Sequence, residues 1–277
     1  MSKISAADVK KLRDMTGAGM MDCKKALNEA EGDFDKAIEI LRKKGEKLAG
    51  KRADRDATEG VVIAKVSDDK TKGVIVKLSC ETDFVAKNDD FVKLAEQFAQ
   101  IALDNMPADT DALLNTPFEN GVSIGEKITE QIGVIGEKLE LAAFEKITAP
   151  MVAPYIHMGH KAAVLVALNK ASDDVFTAGR DVAMQVAAMH PVAVDKDGVD
   201  QSVIDKEIEI GKEQARQEGK PDNIIEKIAM GKLNKFFKEN TLLNQQFVKE
   251  NKKSVSDYLK GVDSDLTVTD FKHVTLG

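Results

Sequence analysis

Residues 45–52 nearly match the loop that cradles nucleotide phosphates. They read GEKLAGKR, whereas the phosphate-binding pattern is G-x-x-x-x-G-K followed by Ser or Thr. Arg52 therefore stands where a hydroxyl must hold Mg²⁺. The segment also continues a helical pattern, whereas the motif needs a strand before it and a helix after it. We predict that this chain binds neither GDP nor GTP on its own.

Histidines could supply ligands to a metal. His157 and His160 are three residues apart, close enough to place two imidazoles near one ion. A third ligand is not evident nearby, and the sequence has no H-E-x-x-H motif. Structural or surface roles are favoured, with partner contact and metal binding as alternatives. No Ser/His/Asp or Cys/His set stands in a motif context, so we expect a protein that is not an enzyme and uses no metal or cofactor.

The most informative segment is residues 80–90, CETDFVAKNDD. It follows a predicted strand, and loops at strand ends often carry function. It places two sizeable apolar residues, Phe84 and Val85, inside a polar and charged run. One interpretation buries Phe84 in the core, and the pattern taken alone favours it. The other makes Phe84 an apolar wedge with an adjacent carboxylate, presented to a partner.

Composition narrows the class of protein. The 277 residues are 43% hydrophobic but only 5% aromatic, so the core must be aliphatic. The 47 acidic and 40 basic residues give a net charge of −7, which disfavours a surface built to grip nucleic acid. Cys23 and Cys80 are too few for a disulfide framework or a cysteine zinc site. No apolar run approaches the roughly 20 residues that span a bilayer, so we expect a cytoplasmic protein with no membrane partner.

Residues 1–55 predict a small helical domain. Ser5 is a good helix N-cap, residues 16–19 (TGAG) break that helix, and Asp33 caps a third one. The first helix has an apolar stripe at near-helical spacing: Ile4, Val9, Leu12 and Met15. Residues 43–57 lose apolar side chains while basic ones accumulate. We interpret them as a helix end plus linker, with an RNA-contacting stripe as the alternative.

From residue 58 onward the spacing of apolar residues changes from helical to strand-like. Two β-branched runs, 61–66 and 74–78, flank a polar loop that ends in glycine, which is typical of an antiparallel hairpin. Apolar residues from Phe91 to Ala102 then follow one face of a helix. This unit predicts a first core subdomain at residues 56–137.

A similar unit recurs later in the chain. The expected elements are three strands and a helix: 138–147, 155–157, 162–168 and 173–189. Because strand, polar connector and amphipathic helix occur twice, we interpret the core as two related α+β subdomains with antiparallel sheets. The second spans residues 138–277 and ends in a strand at 266–274.

A charged helical hairpin is predicted at about residues 198–241, inserted in the second subdomain. Residues 219–221, GKP, form its turn, because Pro is tolerated in the first turn of the helix that follows. The apolar seams are narrow, and Glu and Lys are abundant, which indicates an antiparallel coiled-coil arm. The arm is a candidate surface for dimerisation or for contact with a partner.

Three segments resemble the elongation factor Ts family. Residues 16–27, TGAGMMDCKKAL, look like its N-terminal signature, and residues 82–88, TDFVAKN, look like its second signature. Both runs are long and stand at the spacing that the family uses. The YIH run at 155–157, before an aliphatic strand, is similar too. The resemblance extends from residue 1 to about residue 275 and implies an N-terminal bundle of ubiquitin-associated-like type ahead of the α+β core.

The resemblance implies a nucleotide exchange factor that binds the GTPase elongation factor Tu and promotes GDP release. In this family the T-D-F-V segment inserts near the Mg²⁺ site of that partner. Asp83 and Phe84 would push apart partner groups that support the metal, while Thr82 and Val85 would set the loop.

The resemblance also implies further partner contacts. Arg13, Met20 and Met21, in the N-terminal bundle, would contact the partner's nucleotide-binding domain. His157 and its strand would lie toward the partner's other domains. No direct contact with nucleic acid is expected.

Two other classes of function compete with this one. Residues 1–55 and the basic stretch suit a ubiquitin-associated-like adaptor or an RNA-binding module, and His157 with His160 suits a metalloenzyme. RNA binding falls steeply with salt, whereas an interface with apolar Met and Phe contacts should not, so a salt titration separates them. Elemental analysis for bound metal tests the metalloenzyme.

Overall fold

The computed structural model describes residues 4–119 and 121–277, and it has the α+β architecture that the sequence predicts. Helices of the described chain are α1 (Ala6–Thr16), α2 (Met20–Glu29), α3 (Phe34–Arg52), α4 (Asp83–Ala86), α5 (Asp89–Asn105), α6 (Thr110–Leu114), α7 (Ile124–Ile135), α8 (Asp173–Met189), α9 (Gln201–Gln217), α10 (Asp222–Asn240) and α11 (Val255–Val262). Strands of the described chain are β1 (Glu59–Val66), β2 (Lys72–Cys80), β3 (Leu139–Thr148), β4 (Met151–Ile156), β5 (Ala162–Leu168), β6 (Gln246–Phe247), β7 (Glu250–Ser254) and β8 (Val268–Thr275).

The first three helices form the expected bundle. Ser5 and Asp8 make a reciprocal capping box at the start of α1, and the Asp33 side chain caps α3. Gly17 ends α1 in the left-handed conformation, with φ 71°, which glycine adopts without strain. The bundle has a small apolar core of its own, whose buried members are Val9, Leu12, Ala18, Cys23, Ala26, Leu27, Ala30 and Ala37.

Helix α3 is longer than the sequence indicated. The expectation of a helix end plus linker at 43–57 is wrong up to Arg52, because α3 continues to that residue. Gly45 is buried against α7, and Leu48 and Ala49 pack against the core of the first sheet. The contact uses small side chains at helical spacing, so the segment looks polar although one face of it is covered.

Several basic residues of α3 form ion pairs within the chain. Arg42 pairs with Glu130 at 3.3 Å, and Lys44 pairs with Asp22 at 2.6 Å. Arg52 pairs with Glu81 at 2.6 Å. These pairs weaken the case for an RNA-contacting stripe on this helix.

Each half of the core is built on the same plan. Within the described chain the strand orders are β1-β2-β3 and β4-β5-β8, all antiparallel, beside a small β6-β7 hairpin. In both halves a hairpin is followed by a long helix, α5 or α8, and a later strand then pairs with the second strand of the hairpin. This repetition confirms the two related α+β units.

Strand β3 lies in a different sheet from the one the sequence indicated. We expected 138–147 to belong with the strands that follow it, but β3 pairs with β2, with Val76 opposite Phe144. The chain leaves the first sheet through α5, α6 and α7 and then returns to it. The local pattern of apolar residues predicts that this segment is a strand, but it does not predict which strand lies beside it.

The two sheets pack face to face, and helices cover their outer faces. The buried residues between the sheets are Val62, Ala64, Ile75, Ile147, Val152, Ala163, Leu165 and Ala167. Helix α5 covers the first sheet and α8 covers the second. Because both of their faces are buried, β1, β2 and β5 have largely apolar sequences. A Cβ at Gly73 would lie 2.8 Å from Cγ1 of Val152, so only glycine permits this approach of the sheets.

Helices α9 and α10 form the predicted antiparallel arm. Gly219, at φ 69°, lies in the turn between them, as the sequence indicated. The seam buries Gly211 and Ala215 of α9 and, on α10, Ile225, Ala229 and Leu233. The arm, the β6-β7 hairpin and α11 all lie between α8 and β8. The sequence did not indicate the last two elements.

Candidate functional site

Between β2 and α5 lies the one-turn helix α4 (Asp83–Ala86), with Thr82 as its N-cap. Its aromatic side chain points to solvent, since Phe84 is 83% exposed. Val85, next to it, packs against the core of the first sheet, and Ala86 is buried there. The one-turn helix α4 therefore holds one side inward and Phe84 outward. The interpretation of Phe84 as a core residue is wrong.

Asp83 lies beside the exposed ring. Its carboxylate accepts a hydrogen bond from Lys87 Nζ at 2.6 Å, one turn later. This bond and the charge of Lys87 lower the pKa of Asp83 below its ordinary value, so the carboxylate is ionised at neutral pH. The exposed surface of α4 thus carries an aromatic ring with a negative charge adjacent to it.

Two glutamates hold the loop from the core side. Glu137 Oε2 accepts hydrogen bonds from the backbone N–H groups of Glu81 and Thr82, each at 3.1 Å. Glu137 Oε1 accepts one from the Thr82 hydroxyl at 2.7 Å. Glu81 Oε1 in turn accepts from the backbone N–H of Lys138 at 2.6 Å. Sequence reasoning missed Glu137 because nothing in its own neighbourhood marks it.

The other candidate segment lies at the junction of α1 and α2. Met20 and Met21 are 46% and 65% exposed, and Arg13 is also exposed. Met15, which the periodicity placed on the apolar stripe of α1, is 56% exposed instead. It adds a third surface methionine to this end of the bundle. Exposed large apolar groups that cluster are typical of interaction surfaces.

A groove brings the two candidate segments together. Gly17, in the turn before Met20, and Val85, next to Phe84, both line a groove of about 510 Å³. Helix α7 supplies one wall of it and α5 another. The lining residues are Gly17, Val85, Asn88, Asp90, Phe91, Leu94, Gln97, Lys127, Gln131, Val134 and Ile135. Segments far apart in sequence thus border one surface.

His157 lies elsewhere. It follows the end of β4, is exposed, and has Nδ1 3.1 Å from the Tyr155 hydroxyl. It is not among the described residues that line the groove. The neighbouring Met158 is 85% exposed, which the sequence did not indicate. His157 and Met158 therefore mark a second exposed surface, at the turn between β4 and β5.

No metal centre emerges from the described residues. Across 4–119 and 121–277, no group of three or more His, Cys, Asp or Glu side chains could hold a metal ion. His190 lies against His273 with the two rings tilted by 37° and their centroids 4.9 Å apart. Burial raises the pKa of Cys80 to about 12, with the charge of Glu137 adding to it, so that thiol stays protonated.

Residues 45–52 do not form a phosphate loop, because all of them lie inside α3. Their backbone N–H groups belong to a continuous helix and do not converge on a ligand. In the part of the chain that the structure describes, no helix is both long and apolar enough to cross a bilayer.

Comparison with known proteins gives a consistent result. The family described as Elongation factor TS matches residues 81–277. A protein named Elongation factor Ts from Christiangramia forsetii is 58% identical over 277 residues, which cover all of both chains. Proteins of the same name from Amoebophilus asiaticus and Flavobacterium psychrophilum are 54% and 53% identical, over 99% and 100% of both chains.

Proposed function

The chain belongs to the elongation factor Ts family and is thus a translation elongation factor, and we propose that it binds elongation factor Tu in its GDP state and promotes GDP release. The family match covers most of the chain, and the full-length relatives extend it over the N-terminal bundle. GTP can then rebind to the emptied site. The chain makes and breaks no covalent bond in this cycle.

The observation that carries the proposal is the exposure of Phe84. A phenyl ring that is 83% exposed beside the ionised Asp83 has no role in the core. It is held out by Val85 and Ala86, which are packed on the opposite side of the same turn. A ring presented in this way is suited to enter a partner's surface, where burial stabilises it.

Asp83 and Phe84 act as the wedge in this proposal. Phosphate binding by a GTPase depends on Mg²⁺ and on backbone N–H groups held in place. Insertion of the ring and the carboxylate displaces the groups that support the metal, while Thr82 and Val85 set the loop. Asp83 must exchange Lys87 for a group of the partner when it enters.

The bundle and the second sheet supply the remaining contacts. Arg13, Met20 and Met21 meet the nucleotide-binding domain of the partner. Gly17, close to Met20 in sequence, and Val85, next to Phe84, line one groove, which supports contact of both segments with the same domain. His157 meets another domain. The arm offers further exposed apolar residues, to the partner or to a second copy of this chain, namely Ile210, Ile224 and Met230.

The wedge need not oppose the whole affinity of the nucleotide. Each preference of about 1.4 kcal/mol for the nucleotide-free partner weakens nucleotide binding tenfold. The coupling is reciprocal, so bound nucleotide lowers the affinity of the factor for its partner by the same amount. GTP rebinding then releases the factor.

Phe84→Ala tests the proposal. We expect the free energy of unfolding to change by about 0.5 kcal/mol or less, because the ring is exposed. The rate of GDP release from the partner, at saturating factor, should fall by at least about tenfold, as for the loss of about 1.4 kcal/mol. Release of a fluorescent GDP analogue in a stopped-flow instrument measures this rate.

Val248→Ala is the matched control, since Val248 is an exposed apolar residue of the β6-β7 turn, outside the surfaces assigned to the partner. It should leave the saturated rate unchanged. A wild-type protein that does not accelerate GDP release would exclude the function. A Phe84→Ala variant that retains the full rate would exclude the wedge.

A further inference from the structure

The loop that carries Phe84 is joined to the start of β3 by two carboxylates that cross over. The Glu137 side chain binds the backbone of Glu81 and Thr82, and the Glu81 side chain binds the backbone of Lys138. Each glutamate thus fixes the main chain of the other's segment. Charge-assisted bonds of this kind are stronger than neutral ones.

The same cluster reaches the N-terminal bundle. Arg52, at the end of α3, donates to Glu81 Oε1 at 2.6 Å, and Arg55 donates to Oε2 at 2.9 Å. Lys138 Nζ donates to the carbonyl oxygens of Ala53 and Arg55, both at 2.9 Å. The end of α3 is therefore tied to the segment that precedes Phe84.

Glu81 is suited to this position by its environment. Its side chain is only 14% exposed, and burial by itself would raise its pKa. Hydrogen bonds from the Lys138 backbone, Arg52 and Arg55 outweigh burial and hold the pKa of Glu81 at about 2. The carboxylate is therefore charged throughout the physiological range of pH.

The Thr82 hydroxyl gives a second, independent indication. Thr82 is the N-cap of α4, where a hydroxyl normally accepts a hydrogen bond from the first turn. In the described structure it makes no such bond, and donates to Glu137 instead. The hydroxyl therefore fixes the loop to the segment just before β3 and does not cap α4. This arrangement restrains where the loop lies but does not stabilise the short helix.

We propose that Glu137 and Glu81 are positioning residues for the wedge. Their reciprocal bonds, which we name the carboxylate clasp, hold the backbone before α4 in one place and connect it through Arg52 to the bundle. Phe84 and the bundle then meet the partner as one rigid body. This inference rests on the proposed function and adds to it the groups that preorganise the wedge.

Preorganisation lowers the cost of ordering the loop on binding. Without the clasp the loop samples other positions, and Phe84 reaches the partner's metal site in only a fraction of complexes. Contacts made by the bundle are unaffected. The saturated rate of GDP release should therefore fall while the affinity for the partner changes little.

Glu137→Ala is the principal test. It removes the acceptor of three hydrogen bonds, from the N–H groups of Glu81 and Thr82 and from the Thr82 hydroxyl, and the saturated rate should fall by at least about tenfold, as for the loss of about 1.4 kcal/mol. Glu137→Gln keeps an acceptor oxygen in place, so it should recover most of the rate. Glu140→Ala is the control, because Glu140, three residues after Glu137, is an exposed carboxylate of β3 whose side chain pairs with Lys138 Nζ at 3.6 Å and, among the described residues, accepts no bond from Glu81 or Thr82. It should behave as wild type.

Thr82→Val provides a second variant that keeps the shape of the side chain. It should also lower the saturated rate, in the same direction as Glu137→Ala. Amide hydrogen exchange of Glu81 and Thr82 in the free protein gives a readout that needs no partner. Both variants should lose protection there while the amides of α5 keep theirs.

The outcomes separate the two proposals. If Phe84→Ala slows GDP release but Glu137→Ala and Thr82→Val leave both rate and protection unchanged, the clasp is overturned and the wedge stands. If the wild-type protein does not accelerate release, the proposed function fails, and unchanged amide protection in both variants still overturns the clasp. Loss of protection with a full exchange rate would show that the clasp is only structural.

Discussion

Gly45 of α3 and Gly133 of α7 meet where the two helices cross. A Cβ on Gly133 would lie 3.0 Å from the Cα of Gly45, and a Cβ on Gly45 would lie 2.7 Å from the carbonyl oxygen of Thr129. The helix backbones are therefore in direct contact. This crossing docks the N-terminal bundle on the core and explains a glycine that the sequence offered as part of a phosphate loop.

Gly45→Ala should destabilise the protein by about 1–3 kcal/mol, because the new methyl group meets backbone that cannot move aside. Gly50→Ala, in the same helix, is the control, since a Cβ there meets no atom within 4 Å. It should stabilise by up to about 1 kcal/mol through helix propensity. Urea denaturation measures both values. Equal effects of the two substitutions would show that the crossing is not close.

The arm offers a second pair of matched glycines. A Cβ on Gly211 would lie 3.1 Å from the Cα of Ala229, whereas one on Gly231 would meet nothing within 4 Å. Gly211→Leu should separate α9 from α10 and accelerate amide exchange along both helices. Gly231→Leu should leave protection unchanged. Retained protection in Gly211→Leu would contradict the tight seam.

Stability should fall as the pH drops below about 6.5 because of His273. Burial, with the nearby His190, lowers the pKa of His273 below its ordinary value of 6.5. Below pH 6.5 His273 binds a proton in the unfolded chain but not in the folded protein. The free energy of unfolding therefore falls by up to about 1.4 kcal/mol per pH unit. At higher pH both states are neutral, and the effect vanishes.

His273→Phe removes this titration and keeps a ring against His190. The free energies of unfolding of the two proteins, measured at pH 7.5 and at pH 5.5, should differ more strongly at the lower pH, in favour of the variant. Parallel pH profiles would show that His273 accepts its proton freely in the folded state.

Met20→Ala with Met21→Ala should weaken binding of the partner by about tenfold or more, since exposed apolar side chains at an interface centre carry much of its energy. Stability should change by less than about 1 kcal/mol, because both side chains lie at the surface. Titration calorimetry with the GDP-bound partner measures affinity. The control is Val248→Ala, an exposed residue of the β6-β7 turn. An affinity equal to wild type would remove these methionines from the interface.

Local signals in the sequence predicted most of the elements. The caps at Ser5 and Asp33, the hairpin around residues 67–73 and the turn at Gly219 are each specified by side chains close to the positions they govern. The limit appears where a contact uses small residues. The covered face of α3 contains Gly45 and Ala49, which look like a linker in composition but allow backbones to approach.

The sequence did not predict which distant segments pair with each other. Strand β3 was predicted as a strand, yet its place beside β2 depends on a return of the chain through α7. The candidate site shows the same division. Phe84 stood out in its polar run, but its outward direction is set by the packing of Val85. Glu137 carried no signal, because its partners lie in another part of the sequence.

The position of β5 between β4 and β8 has a consequence for how the protein folds. During synthesis β5 emerges before α8 and the arm, whereas its partner β8 follows them, with Val164 finally opposite His273. The apolar edge of β5 thus waits unpaired while the intervening chain is made. Pairings so distant in sequence are slow to form, and exposed edges invite association with other chains. The nascent protein is therefore most prone to aggregate in that interval, when a chaperone that covers the edge has its greatest effect.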